Sequence, residues 1–243
     1  MNTADFRRAL QAVIPHAHDD TSTGLAVVHF AATADHVYVQ ASNGTTAGMA
    51  IASVWDHQDL TGDPDEDSFD LTVSAAKELL QVFRPKKQPE NELDDQLSIQ
   101  VDIAKISVLD VSGLFPDKAW TIPNTATSEN FPNLPRLFND AMTGRPRVPE
   151  QIVASGKLLK LFSAASAAYK DALALETTTR PQMMLISCSE SFLGALMQVR
   201  VEEDSDLARE LKDHRAGWQN RLPMMALAIT RGRDENQKNG EAA

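Results

Sequence analysis

The sequence predicts an α+β fold built from repeats of one unit: a strand, a helix and three further strands, giving antiparallel sheets with helices on one face. The first observation is that Phe69–Arg84 reads as a strand followed by an amphipathic helix, and the stretch from Gln151 is its near-copy. Apolar residues at i, i+3, i+4 and i+7 share one helix face. The second observation is a set of alternating segments, which is typical of half-buried strands.

The N-terminal helix repeats the same spacing, and Thr3 is its expected N-cap. Asn43-Gly44 predicts a tight turn between two strands, and Pro85 ends the second helix. The expected elements are helix Thr3–Ile14; strands Leu25–Ala32, His36–Ala41 and Thr46–Val54; the strand and helix of Phe69–Arg84; strands Leu97–Ile103, Ile106–Val111 and Ala119–Ile122; strand Gln151–Ala154; a helix to Lys170; strands Leu173–Thr177, Met183–Cys188 and Leu193–Val201; and helix Asp204–Trp218.

These elements predict four segments along the chain. Residues 1–139 form a domain of two units, and 140–150 form a linker rich in proline and polar residues. Residues 151–203 form a second, partial domain, and 204–243 form a C-terminal helix and tail. Within 123–149, the segment FPNLPRLF is expected to be anchored by its apolar side chains.

The charge of the chain is strongly negative, yet its helices carry cations. The net charge is −11 and the pI is about 4.9. The polar faces of the three helices have only Asp5 and Glu78 as anions. Their cations are Arg7, Arg8, Lys77, Arg84, Lys157 and Lys160. This pattern fits either solvated helix faces or a segregated basic surface that contacts DNA phosphates.

The composition favours a cytoplasmic protein. Cys188 is the only cysteine, so no disulfide can form within the chain, and its apolar surroundings predict a core residue rather than a nucleophile. No stretch reaches the length of a membrane span, and the N-terminus has no apolar signal-peptide core.

Candidate catalytic patterns are sparse. His16, His18 and Asp20 spell H-x-H-x-D, which suits a zinc site in a small metallohydrolase but also suits an ordinary polar turn. The glycine-rich phosphate loops and the nucleophile elbow are absent from the sequence. We therefore expect no catalytic residues, no bound metal and no cofactor.

Several stretches together resemble the beta sliding clamp of bacterial DNA polymerase III. These are VYVQASNGTTAGMAI, which is similar to a strand–turn–strand of that family, SAAKELLQVF, NFPNLPRLF and ALMQVRV. The resemblance covers about residues 1–201 and depends on the shared order of the segments. It implies a DNA-clamp fold without catalysis, with double-stranded DNA and a DNA polymerase or other clamp-binding protein as partners.

The resemblance also implies an apolar pocket that receives a short peptide of the partner. Carried over to this chain, the pocket consists of Ser42, Gly44, Thr45, Thr46, Pro132, Leu137, Met197, Gln198, Val199 and Arg200. Thr45 and Thr46 replace the histidine and arginine of the family turn, and Gln198 replaces a proline. One complete clamp domain and half of another have no counterpart in this sequence.

The leading hypothesis is a DNA sliding-clamp-like processivity factor that encircles or cradles duplex DNA as a homo-oligomer ring. Four chains or three chains fit this hypothesis, and the sequence does not rank them. The alternatives are a clamp-like scaffold that binds partners without forming a ring and the metallohydrolase.

Overall fold

The computed structural model describes residues 1–61, 63, 66–84, 95–113, 117–124, 131–143, 152–178 and 183–240. Contacts divide the chain into one compact unit, Met1–Val199, and a second unit, Arg200–Ala243. The expected linker lies mostly outside the described residues, and the domain boundaries remain predictions.

The first unit contains five α-helices and ten strands among its described residues, and they alternate much as the sequence predicts. The helices are α1 (Thr3–Val13), α2 (Val73–Val82), α3 (Leu134–Met142), α4 (Gly156–Leu159) and α5 (Ser163–Tyr169). The strands are β1 (Val27–Ala32), β2 (His36–Ser42), β3 (Thr46–Ser53), β4 (Ser68–Thr72), β5 (Leu97–Val101), β6 (Lys105–Asp110), β7 (Ala119–Pro123), β8 (Leu173–Thr177), β9 (Met183–Cys188) and β10 (Phe192–Met197).

Two antiparallel sheets form the framework. The larger sheet has the order β4-β1-β2-β3-β10-β9-β8, and the smaller has the order β5-β6-β7. Strands from the first and third repeats therefore belong to one sheet, joined where β3 pairs with β10 and Gly48 lies opposite Gly194. An isolated bridge between Asn2 and Gln96 brings the start of the chain to β5.

The two faces of the larger sheet are covered by different helices. Alternate residues of a strand point to opposite faces, and on β10 Leu196 joins the large core that includes residues of α1, α2 and α5. Ala195 joins a smaller cluster with Leu134 and Phe138 of α3. Helices α1, α2 and α5 thus lie on the predicted common face, and α3 packs on the other face.

The predicted apolar stripe of α1 is confirmed, because Phe6, Ala9, Leu10 and Val13 are all buried. The N-cap is Asn2 rather than Thr3: the Asn2 Oδ1 accepts hydrogen bonds from the backbone N–H groups of Ala4 and Asp5. Thr3 is then the first helical residue, and the cap lies one position earlier than expected.

Aromatic rings fill the seam between β3 and β10. The His16 ring has no exposed surface and lies 4.6 Å from the Phe162 ring, centroid to centroid. A Cβ added at Gly48 would come within 2.6 Å of His16 Cδ2, and one added at Gly194 within 2.5 Å of Phe162 Cε1. Two glycines that face each other therefore make room for the two rings.

The third repeat differs most from the prediction. Residues 152–155 contain no strand, although the Val199 N–H donates to the Val153 carbonyl at 2.8 Å. The predicted continuous helix is instead divided into α4, a 3₁₀ turn at Lys160–Phe162 and α5. Lys170 adopts the left-handed conformation and ends α5. Strand β10 stops at Met197 rather than Val201.

The second unit contains helix α6, Asp206–Gly240, which continues well beyond the predicted end at Trp218. Good helix formers such as Ala, Leu, Arg and Gln dominate its sequence, and the helix passes through Pro223 without ending. Within the described part of the chain, no helix has the length and apolar character needed to cross a membrane.

Candidate functional site

A cavity of about 350 Å³ opens between the β2–β3 turn, the start of α3 and the end of β10. This volume lies at the lower end of the range for ligand pockets, about 300–1,000 Å³. The lining residues that the structure describes carry no formal charge: Thr23, Leu25, Ser42, Gly44, Thr45, Thr46, Ala47, Pro132, Leu134, Leu137, Met183, Ala195 and Met197.

The Asn43-Gly44 turn forms the first wall and is held by its own side chains. The Asn43 Oδ1 accepts hydrogen bonds from the N–H groups of Thr45 at 3.0 Å and Thr46 at 2.7 Å. The Ser42 hydroxyl donates to the Thr46 carbonyl and accepts from the Gly44 N–H, both at 3.1 Å. Gly44 has a φ of +80°, a conformation that glycine adopts without strain. These bonds make the wall rigid.

Pro132 and helix α3 form the second wall. The Asn133 side chain accepts from the Arg136 N–H at 2.9 Å and caps α3, and Pro135 occupies the first turn, where its missing N–H is tolerated. Leu134 and Phe138 face the sheet and are buried, while Leu137 borders the cavity.

Strands β9 and β10 form the third wall. Met183 and Ala195 lie in the cluster under α3, and the Met197 N–H donates to the Thr45 carbonyl at 2.9 Å. That bond ties the end of β10 to the turn of the first wall. Segments more than 140 residues apart in the chain therefore meet at one cavity.

The structure brings most of the expected pocket residues together. Those that line the cavity are Ser42, Gly44, Thr45, Thr46, Pro132, Leu137 and Met197. Gln198 and Val199 lie past the end of β10 and do not line it. Arg200 belongs to the second unit, and its Nε lies 3.8 Å from a Glu202 carboxylate oxygen.

Sequence reasoning did not select several lining residues. Ala47 and Ala195 follow from strand alternation once the turn and β10 are placed, so a period of two along each strand could have identified them. Leu134 follows from the apolar i, i+4, i+7 spacing of Leu134, Phe138 and Ala141. Thr23, Leu25 and Met183 carry no local signal of a pocket.

Two of the six helix cations are engaged within the first unit. The Arg7 guanidinium donates to the carbonyls of Leu80 and Phe83, the latter at 2.9 Å, and so satisfies the end of α2. Burial and the nearby Arg84 guanidinium lower the pKa of Arg7 below its usual value. Arg8 pairs with Asp5 one turn earlier on α1.

The other four cations, Lys77, Arg84, Lys157 and Lys160, have exposed side chains. Lys77 lies on α2, Arg84 follows it, and the remaining two lie on α4 and the 3₁₀ turn after it. Their exposure leaves all four cations available to solvent.

The H-x-H-x-D residues have separate structural roles. His16 is buried, its Nδ1 lies 3.2 Å from the Thr46 hydroxyl, and burial lowers its pKa to about 4. The His18 Nδ1 accepts from the Asp20 N–H at 2.9 Å. The Asp20 side chain accepts from the Ser22 N–H and caps a 3₁₀ turn. Across the described residues, no group of His, Cys, Asp or Glu side chains is arranged to hold a metal ion.

The fold is that of bacterial DNA polymerase III beta sliding clamps, as the sequence motifs predicted. The DNA polymerase III beta subunit of Thermotoga maritima has a TM-score of 0.57 and 12% identity over 83% of this chain and 65% of its own. The sliding clamp of Pseudomonas aeruginosa, determined with a ligand, has a TM-score of 0.55 and 12% identity over 86% of this chain and 66% of its own.

The clamp of Bartonella birtlesii bound to griselimycin has a TM-score of 0.54 and 14% identity over 83% of this chain and 65% of its own. The chain thus spans slightly less than two thirds of the length of these clamps. No protein-family model and no curated protein sequence matches it. At these identities the comparisons establish the fold.

Proposed function

We propose that this chain is a non-catalytic, sliding-clamp-like protein that captures a short apolar peptide of a partner protein in the cavity. The observation that carries the proposal is the meeting of three distant segments around one uncharged cavity. Each segment was selected from the sequence by its similarity to a clamp motif. The partner is a DNA polymerase or another DNA-acting protein.

We further propose that the chain holds duplex DNA loosely while it tethers that partner. A sliding protein needs weak phosphate contacts that position it without reading bases. The exposed cations Lys77, Arg84, Lys157 and Lys160 suit this role, whereas Arg7 contributes by holding α2 against α1. An acidic remainder disfavours DNA contacts elsewhere on the surface.

The pocket is tested with a fluorescein-labelled peptide, Gly-Ser-Leu-Phe-Gly, whose two adjacent apolar side chains suit an uncharged cavity. Met197 and Leu137 are partly exposed at the rim of the cavity, so a glutamate introduced at either position keeps part of its carboxylate in solvent. We expect Met197→Glu and Leu137→Glu each to weaken probe binding at least tenfold in fluorescence anisotropy. Griselimycin, present in the Bartonella clamp structure, serves as an independent probe.

Met142→Glu is the matched control, because Met142 lies on α3, is 61% exposed and does not line the cavity. It should leave probe affinity unchanged. Absence of probe binding to the native chain, or equal binding to all three variants, would contradict the proposed pocket.

A clamp-like scaffold that binds partners without closing a ring remains the second candidate. It is favoured by the fact that every described lining residue of the cavity lies in the first unit of a single chain, so peptide capture does not require a ring. The same pocket would serve such a scaffold, so the two candidates differ in assembly and in DNA association.

A further inference from the structure

The Phe131–Pro132 wall of the cavity rests on a side chain that lies outside the cavity. The Phe131 ring stacks on the His29 imidazole, with centroids 4.6 Å apart and planes 18° from parallel. Pro132 follows immediately and lines the cavity, and Asn133 begins the cap of α3. Pro132 is therefore held in place on one side by the stacking of Phe131 on His29 and on the other side by helix α3.

The orientation of His29 is itself held by a carboxylate. The His29 Nδ1 lies 2.8 Å from the Asp70 Oδ1, and the two residues are direct partners across β1 and β4. The Asp70 side chain is 3% exposed and the His29 side chain 19% exposed. Because the carboxylate bonds in the plane of the imidazole, the ring cannot rotate freely beneath Phe131.

Burying a carboxylate and an imidazole beneath an aromatic ring has a high desolvation cost. Desolvation of such a pair commonly offsets its attraction, and an apolar pair of similar size is often as stable. The hydrogen bond between the two side chains instead fixes the orientation of the His29 ring. Gln40, the partner of His29 across β2, is also buried and continues this polar row toward β3.

We propose that His29 and Asp70 are positioning residues for the pocket: they hold Phe131, and through it Pro132, at the place where the wall meets a bound peptide. This inference rests on the proposed peptide-binding function. The position of the pocket wall would then depend on a cross-strand pair that does not line the cavity.

The test combines probe affinity with a direct report on Phe131. The chain of 243 residues carries 4-fluorophenylalanine at position 131, and the ¹⁹F resonance of this residue is recorded without probe. The variants are His29→Ala, His29→Phe and Asp70→Ala, and the probe is the labelled Gly-Ser-Leu-Phe-Gly peptide. His36→Ala is the matched control, because His36 lies at the start of the neighbouring strand β2 and does not line the cavity.

We expect His29→Ala to remove the ring-current shift of the ¹⁹F resonance and to weaken probe binding about three- to tenfold, the scale of a lost aromatic pair. Asp70→Ala should change both readouts in the same direction. His29→Phe keeps a flat ring under Phe131 but loses the hydrogen bond to Asp70 that fixes the ring orientation, so it should weaken probe binding as Asp70→Ala does. His36→Ala should change neither readout.

The two proposals fail in different ways. An unchanged resonance and unchanged probe affinity in His29→Ala would overturn the positioning role, even if its unfolding midpoint in urea falls. If the native chain does not bind the probe, the pocket proposal fails. The ¹⁹F shift without probe would then still decide whether His29 places Phe131.

Discussion

The sequence around His16 fits either a metal ligand or a buried structural residue. As part of H-x-H-x-D it fits a metal ligand, but in the structure its ring packs between Phe162 and Phe192 over Gly48. Its Nε2 is buried without a hydrogen-bond partner among the described residues. A neutral imidazole tolerates this site, whereas a charged one would lack compensation.

Stability should therefore depend on pH through His16. Its pKa is about 4 in the folded protein, against 6.5 for the unperturbed group. As pH falls, His16 is protonated in the unfolded state before it is protonated in the folded state. The contribution of His16 to the free energy of unfolding is therefore fully present above pH 6.5 and is lost as pH falls toward 4. Between pH 7 and pH 4.5 we expect a loss of about 2 kcal/mol, measured by urea unfolding.

His16→Phe separates this effect from the titration of carboxylates. The variant keeps a ring over Gly48 but cannot bind a proton, so its stability should fall less than that of the native chain over the same pH range. Parallel pH dependences for the two proteins would show that His16 does not titrate on unfolding.

The glycine pair of the seam leads to a second prediction. Gly48→Ala and Gly194→Ala place a methyl group within 2.6 Å and 2.5 Å of ring carbons of His16 and Phe162. Overpacking of this kind costs about 1–3 kcal/mol. Gly156→Ala is the control, because its Cβ would have no neighbour within 4 Å. Equal unfolding midpoints in urea for all three variants would exclude tight packing at the seam.

At the scale of elements, the cavity and the basic helices should respond differently to salt. The described cavity lining is uncharged, so probe affinity should change less than about twofold between 50 and 500 mM NaCl, since screening acts on charges. A fluorescence-anisotropy titration at each salt concentration measures this. A steep loss of affinity with salt would mean that charges outside the cavity contribute to binding.

Association with duplex DNA should show the opposite behaviour. Reversal of Lys157 and Lys160 to Glu removes phosphate contacts and adds repulsion, so DNA affinity at 50 mM NaCl should fall at least tenfold. Lys105→Glu with Lys212→Glu makes the same charge change at exposed positions on β6 and α6. Equal losses in both double variants would indicate a general charge effect rather than a DNA-binding helix face.

At the scale of the whole molecule, the larger sheet ends in two outer strands, β4 and β8. Backbone groups at a sheet edge can pair with another chain, and head-to-tail pairing closes a ring when the rotation allows it. We expect light scattering to give a mass of three or four times 26.6 kDa that does not change with concentration. A monomer would exclude the ring and favour the scaffold.

Local sequence patterns were sufficient for most elements. The stripes of α1 and α2, the alternating strands and the Asn43-Gly44 turn depend on contacts within a few residues, and a short window contains that information. The clamp-like order of the motifs was visible for the same reason. Helix α3 was missed as a helix because Pro135 and the surrounding polar residues indicate a loop, although proline is tolerated in the first turn.

The sequence by itself determined which faces are apolar, where the turns fall and which clamp family the chain resembles. Only the tertiary structure decided that β3 pairs with β10, that Arg7 holds the end of α2, that His16 fills the seam and that three distant segments enclose one cavity. Periodicity records the environment of a side chain but not its partner. The partner is chosen by long-range packing, which no short stretch of sequence contains.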